Sequence, residues 1–301
     1  MEEEKESKFS NFYFRNYKKF LIVPFALLII ALILIFVQYS STGDFINRDI
    51  SLKGGVSLTI LTDADVNVEE IEAILTEQLV PNEVSIRMLK SAGNQIGMLI
   101  ESDVLNIEQE QLNSILETVG QKIGKELDNE DYSLETMGSS LGRSFFTQTM
   151  QALVLAFLFM GLVVFFYFRT FVPSMAVILS ALSDIIITVA VINLIGFKIG
   201  TAGIAALLML IGYSIDTDIM LTTKVLKRKI PLHKAVGSAF KTGMTMTLTT
   251  IAAITIALIF SQSEIIRQIM TILLIGLIFD IINTWMQNSG LLIWYVEKKK
   301  K

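Results

Sequence analysis

Long unbroken apolar runs dominate the hydrophobic pattern of this chain. The first is Leu21–Val37, preceded by Arg15, Lys18 and Lys19. Five more follow, at 148–168, 174–195, 199–220, 242–261 and 267–294. Each of these five can cross about 30 Å of hydrocarbon at about 1.5 Å per helical residue. A basic flank before an apolar core is also the form of a signal peptide. Gln38–Gly43 offers no strong Ala-x-Ala cleavage site, so an uncleaved first span is expected.

Between the first two runs the pattern shortens. Val56–Thr62 alternates and predicts a strand. Val68, Ile71, Ile74, Leu75 and Leu79 recur at helical spacing, and Pro81-Asn82 stops that helix. Val84–Leu89 and Gln95–Glu101 predict two strands joined at Ser91–Asn94. Leu112, Ile115, Leu116, Val119 and Ile123 predict a helix over about 106–127, and Tyr132–Met137 a last strand. Strand-helix-strand-strand-helix-strand is the order of a ferredoxin-like split βαβ domain. Asp65 or Asn67 is placed to cap the first of these helices. Gly54-Gly55 suits close packing at the membrane boundary.

The predicted fold is therefore an α-helical polytopic membrane protein of six transmembrane helices with a small α+β ferredoxin-like extracytoplasmic domain between helices 1 and 2. Its parts are a cytoplasmic N-terminal segment (1–19), the first span and its exit (20–42), the extracytoplasmic domain (43–140), a five-helix bundle (141–296) and a basic cytoplasmic tail (297–301). The composition agrees: 52% of the 301 residues are hydrophobic and 18% charged, and the mean hydropathy is +0.58.

Charge sets the orientation. Residues 43–140 carry 19 acidic and 6 basic side chains, a net of −13, so the rest of this −4 chain nets +9. Arg169 follows the second span, and only Lys198 lies in the loop after the third. Lys224, Lys227, Arg228, Lys229, Lys234 and Lys241 follow the fourth, and Lys298–Lys301 end the chain. Cationic loops stay in the cytoplasm, which puts both termini there. The acidic domain would repel phosphate, so nucleic acid is not an expected partner. The chain has no Cys and one His, His233, in a basic loop. That excludes disulfides, thiolate chemistry and a histidine metal cluster. The acids of the outside domain are scattered, so no catalytic pair, cofactor site or metal site is expected, and the chain is not read as an enzyme.

The chemistry lies inside the membrane, where a charged side chain costs about 2.5–3.5 kcal/mol on insertion scales. Asp184 is midway along the third span, Asp216 and Asp218 are late in the fourth, and Asp280 is midway along the sixth. Lys241 opens the fifth. Two positions on a helix are about 200° apart, so Asp216 and Asp218 face different ways. Asp216 is expected to be the inner one, near Tyr213 and Met220. An aspartate held in low dielectric can carry a proton intermittently, the basis of ion coupling. The structural alternative is an interhelical bond, such as Asp216 with Lys241. Asp280 with Asn283, Thr284 and Gln287 suggests a polar seam between helices. Thr245, Thr247, Thr249 and Thr250 either line a hydrated path or bond across helices. Gly200, Gly203 and Ala206 suit close packing.

Four segments carry a family resemblance. Ile211-Gly212-Tyr213-Ser214-Ile215-Asp216-Thr217-Asp218-Ile219 is similar to a span-four signature of Gly-Tyr-Ser and a polar cluster. Ala181-Leu182-Ser183-Asp184 is similar to a span-three aspartate motif, and Lys241-Thr242-Gly243 through Thr249-Thr250 to a Thr-rich opening of span five. Lys53-Gly54-Gly55 is similar to the glycine pair that begins the outside domain. Together with one span, a small domain and five spans, the chain resembles the SecF component of the SecDF protein-export complex, in the resistance-nodulation-division superfamily. Two details depart from that pattern. Asp-Thr-Asp stands where Asn-Asp is common at the first two positions, and Lys241 stands where an arginine is common.

The resemblance implies a SecD-like subunit as heterodimer partner, the SecYEG channel and a translocating unfolded polypeptide as further partners, and no ATP or other cofactor. It implies an accessory role in export driven by the proton or ion motive force. By position it makes Asp216 or Asp218 and Lys241 the ion-relay candidates, with Asp184 in support and Asp280 weaker. The alternatives are a half-unit of a proton-coupled small-molecule exporter, disfavoured by the small domain, and a non-transporting scaffold for the translocase.

Overall fold

The computed structural model describes residues 13–300 except 65, 81, 83, 92–93, 105–106, 130, 228–229 and 262. Asp65, Pro81, Arg228, Lys229 and most of the N-terminal segment thus lie outside the described residues.

Among the described residues, six apolar helical stretches are long enough to cross a membrane: Tyr13–Thr42, Ser139–Phe168, Phe171–Leu194, Thr201–Lys227, Leu232–Phe260 and Glu264–Lys299. The first contains helix α1 (Ile22–Thr42). A short helix α2 (Ile50–Lys53) follows, capped by Asp49, whose Oδ1 accepts from Ser51 N at 2.8 Å.

The small domain comprises β1 (Gly55–Leu61), α3 (Val68–Gln78), β2 (Val84–Ser91), β3 (Asn94–Ser102), α4 (Gln109–Ile123) and β4 (Tyr132–Met137). The sheet order is β2-β3-β1-β4, with every neighbouring pair antiparallel. Strand alternation sends Leu58, Ile60, Met98 and Ile100 to one face, where they meet Ile71 and Leu75 of α3 and Leu112, Ile115 and Val119 of α4. Burying each such side chain contributes about 1.5–3 kcal/mol, enough to hold two helices on one sheet face. Asn67 Oδ1 accepts from Glu70 N at 3.3 Å and caps α3. Gln111 Oε1 accepts from Glu108 N at 3.2 Å in the capping box that starts α4.

The opposite sheet face carries Ser57, Leu99 and Glu101, all buried. Leu99 is paired with Arg87 in the β2–β3 register, and Arg87 lies over the Phe197 ring, 5.9 Å from its centroid. That face therefore rests on the loop between the third and fourth spans.

The bundle continues with α5 (Ser139–Phe168), α6 (Phe171–Leu194), α7 (Thr201–Lys227), α8 (Leu232–Phe260) and α9 (Glu264–Ile282). A π-helical turn, Asn283–Asn288, joins α9 to α10 (Ser289–Lys300). Most of α6 and half of α7 are buried, whereas α1 and α5 are largely exposed, so α6 and α7 form the centre. Ile192, Leu207, Leu210, Ile272 and Leu277 fill the core between them and α9. Gly276 of α9 sits against the Leu210 side chain, with no room for a Cβ. Gly203 of α7 faces Ile199 and Ile272, so the expected small-residue packing is present there.

Several boundaries differ from the hydropathy reading: the first stretch runs Tyr13–Thr42 rather than Leu21–Val37, and the fifth begins at Leu232 rather than 242, which makes Lys234 and Lys241 helix residues. Ser139 rather than 148 begins the second spanning helix, because its first turns pack Gly142 on Gly54 and Phe145 and Phe146 on the core. The fourth helix runs to Lys227 rather than 220, so Lys224 is a helix residue and not a loop cation.

Candidate functional site

Asp184, Asp218 and Asp280 are each at most 1% exposed and lie on the facing sides of α6, α7 and α9. Each accepts a hydrogen bond from the same short segment, Asn283–Asn288, so the three carboxyls form one cluster. Asp184 Oδ2 accepts from Ser214 Oγ at 2.6 Å, and its Oδ1 accepts from Asn283 Nδ2 at 2.7 Å. Asp218 Oδ1 accepts from Asn288 Nδ2 at 2.7 Å. Asp280 Oδ1 accepts from Thr284 Oγ1 at 3.1 Å. Gln287 Nε2 donates to Ser183 Oγ at 3.1 Å.

The π turn supplies most of these donors. Asn283, Thr284, Gln287 and Asn288 are all fully buried. A π turn fits an extra residue into one helical turn, and such turns concentrate at functional sites. Here it delivers amides to Asp184 on one neighbour and to Asp218 on another.

Among the described residues, Asp218 Oδ2, Asn283 Oδ1, Gln287 Oε1 and Asn288 Oδ1 of this seam lack a hydrogen-bond partner, as do the Ser180 hydroxyl beside Asp218 and the Trp285 indole N–H of the π turn. The four carbonyl and carboxylate oxygens are acceptors, and a buried acceptor without a donor costs about 1–3 kcal/mol. A carboxyl that takes up a proton becomes a donor and can fill one of them.

The seam corrects the reading of the fourth span. Asp218, not Asp216, is the inner acid, and Asp216 is exposed on the outer side of α7. The two acids do lie on different faces, as their spacing predicts, with Asp218 inside and Asp216 outside. Ser214, Thr217, Asp218 and Leu221 share the buried side, and Tyr213 and Asp216 the other. The suggested Asp216–Lys241 bond is absent: Lys241 is exposed, and among the described residues no ion pair joins them. Lys224 is the buried lysine instead. Its Nζ donates to Thr242 Oγ1 at 2.8 Å and to Ser238 O at 2.9 Å, which ties α7 to α8.

Three of the other threonines of α8 bond within their own helix rather than across to a neighbour. Thr245, Thr249 and Thr250 donate to carbonyls of their own helix, at Lys241, Thr245 and Met246. Lys241, Thr245 and Thr249 recur every four residues and are exposed. Sequence reasoning named the seam of Asp280, Asn283, Thr284 and Gln287, but missed Asn288. Its signal was an amide four residues after Thr284, which a regular helix would carry on the same face.

Fold and seam together define a class: multi-spanning membrane proteins with an α/β insert after the first span and buried acids at the centre of the bundle. The chain belongs to the protein-export membrane protein SecD/SecF family, whose C-terminal region matches residues 112–298. It is 38% identical to the protein-export membrane protein SecF of Methanocaldococcus jannaschii over 289 residues, covering 94% of this chain and 96% of that one. It is 36% identical to SecF of Pyrococcus furiosus, covering 94% of this chain and 92% of that one. The crystal structure of SecDF, a translocon-associated membrane protein from Thermus thermophilus, superposes with a TM-score of 0.74 at 19% identity. That match covers 96% of this chain and 38% of the longer SecDF chain.

Proposed function

We propose that this chain is an accessory subunit of the Sec translocase, assisting export of proteins across the cytoplasmic membrane and using the proton or ion motive force. The observation that carries the ion-coupled part is the Asp184–Asp218–Asp280 seam, three acids buried among hydroxyls and amides in the middle of the bundle. Retaining them costs insertion energy, which a purely apolar helix interface would avoid. Family membership supports the export part. In this reading no ATP or other cofactor binds, and the chain is not an enzyme.

Both termini lie in the cytoplasm, and residues 43–140 lie outside as a ferredoxin-like domain. The sheet order and the strand-helix alternation support that domain assignment. A SecD-like subunit completes the unit. Its seat is the outer face of α7 and α8, where Asp216, Lys241, Thr245 and Thr249 are exposed. A charge in the span is unfavourable against lipid, so a partner helix or a water path must cover Asp216. The SecYEG channel and the translocating unfolded polypeptide are the further partners.

The test is export of a secreted protein into membrane vesicles under an imposed proton gradient, with a sodium gradient as a second arm. Asp184→Asn, Asp218→Asn, Asp216→Asn and Lys241→Gln are compared once each is shown to assemble with its partner. The expected result is loss of gradient stimulation in Asp218→Asn and Asp184→Asn. Full stimulation in all four would make the polar groups of this subunit structural.

A further inference from the structure

The chain enters and leaves the small domain at one place. Gly55, the first residue of β1, pairs with Met137, the last of β4. Gly54 packs directly on the backbone of Ser139, the first residue of α5. A Cβ on Gly142 would lie 2.7 Å from Gly54 N, so α2 and α5 meet without side chains between them. Two adjacent crossings fix a point of attachment, but they do not fix how the domain leans over the bundle. A second contact must do that.

That contact is Glu101. It lies on the helix-free face of the sheet and is 4% exposed. Its Oε2 pairs with Arg87 Nη2 of the neighbouring strand at 2.7 Å, and with Lys198 Nζ of the α6–α7 loop at 3.1 Å. One cation therefore belongs to the domain and the other to the bundle. Phe197, beside Lys198, lies under the Arg87 guanidinium. The loop itself is anchored. Gln268 Nε2 of α9 donates to Lys198 O at 3.1 Å. Asp49 N donates to Ile199 O at 3.1 Å, and Ile199 N donates to Asn47 O at 2.7 Å.

We propose that Glu101 and Lys198 form a reversible latch that holds the small domain down on the α6–α7 loop, with the paired chain crossings as its pivot. Stripping the partner from a buried charge is strongly destabilising. Glu101 escapes that cost on release because Arg87, on its own sheet, stays with it. Lys198 is 29% exposed and passes into water. The contact that separates thus joins a buried carboxylate, which keeps Arg87, to a partly exposed ammonium, which gains water. The loop that holds the latch joins α6 to α7, the helices that carry Asp184 and Asp218. A shift of either helix moves Lys198 directly. The latch stands on geometry outside the membrane and does not depend on the ion-coupling reading.

The chain has no native cysteine, so site-directed spin labels can be placed singly. Glu117→Cys on exposed α4 and Ser263→Cys at the start of α9 give one pair across the latch. Pulsed electron-paramagnetic distance measurement is made on the full chain with its partner in lipid nanodiscs. The unmodified latch should give one narrow distance. Lys198→Gln and Lys198→Glu should each add a longer population, more in the Glu variant, and Lys198→Arg should restore the narrow distance. Lys122→Gln, which removes the ion pair with Glu70 between α3 and α4, is the control and should change nothing. An unchanged distribution in Lys198→Gln and Lys198→Glu overturns the proposal, as does a change in Lys122→Gln equal to theirs. A failure of gradient-stimulated export with an intact latch response would strike the function reading alone.

Discussion

Asp49 shows how environment decides what a carboxylate does. Asp49 caps α2 and receives Ser51 N and Ser51 Oγ on one oxygen. Burial holds its pKa above the ordinary value of 3.8, and the nearby negative charge of Glu101 adds to the rise, outweighing the hydrogen bonds from Ser51 and Gln268. A raised carboxyl pKa means that the folded state keeps its proton to higher pH than the unfolded chain does. Its contribution to stability is therefore greatest in acid and falls as pH rises from the ordinary value through the folded one. Asp49→Asn keeps an acceptor for Ser51 N but cannot ionise. The melting temperature of Asp49→Asn relative to wild type should therefore climb as pH rises above the ordinary carboxylate value of 3.8. Calorimetry of the detergent-solubilised protein reads this, and a difference that falls with pH would show that Asp49 gains more from its partners than it loses by burial.

At the scale of elements, the seam depends on three helices held close by small residues and one irregular turn. Gly276 has no space for a side chain against Leu210. Gly276→Val should push α9 from α7, with overpacking costing about 1–3 kcal/mol. The loss should appear as a lower thermal midpoint, and Gly276→Ala should fall between the two. Equal midpoints for Gly276→Val and wild type would show that the helices move apart freely. The π turn has a separable role. Asn288→Ala removes the amide that donates to Asp218 and should cost about 1–3 kcal/mol, since a buried carboxylate oxygen is left without its donor. Asn288→Asp should be worse, because it adds a fourth buried acid. Chemical denaturation in detergent compares the pair, and an Asp variant more stable than the Ala variant would overturn the ordering.

For the whole molecule, the outer polar face of α7 and α8 is the feature the single chain leaves unexplained by its own packing. Tyr213 and Asp216 are exposed on α7, as are Lys241, Thr245 and Thr249 on α8. If a SecD-like chain covers this face, a thiol at Tyr213→Cys should react with a membrane-permeant maleimide in the isolated chain and be protected when the partner is co-expressed. A thiol at Phe166→Cys, on the strongly exposed side of α5, should react equally in both. Protection at Phe166 and not at Tyr213 would move the partner to the other side of the bundle.

Much of this architecture was written into local pattern. Six spans and the strand-helix order of the small domain follow from hydrophobic runs and periodicities, because water and lipid act on each segment independently. Asp184 and Asp280 were legible as buried acids for the same reason: each sits in the middle of an apolar run. The choice between Asp216 and Asp218 was not. Both faces of α7 are apolar enough for a membrane, so hydrophobic periodicity does not mark the inward side, and only the neighbours α6 and α9 decide it. Lys224 was misplaced because its charge resembles a loop signal, whereas Ser238 O and Thr242 of another helix hold it. The π turn was hidden because its extra residue is a matter of backbone register, set by packing rather than by composition. The pairing of Glu101 with Lys198 joins residues 97 positions apart. Local pattern determined which segments exist and which solvent each prefers; tertiary packing decided which polar groups meet, because that depends on the orientation of whole elements relative to one another.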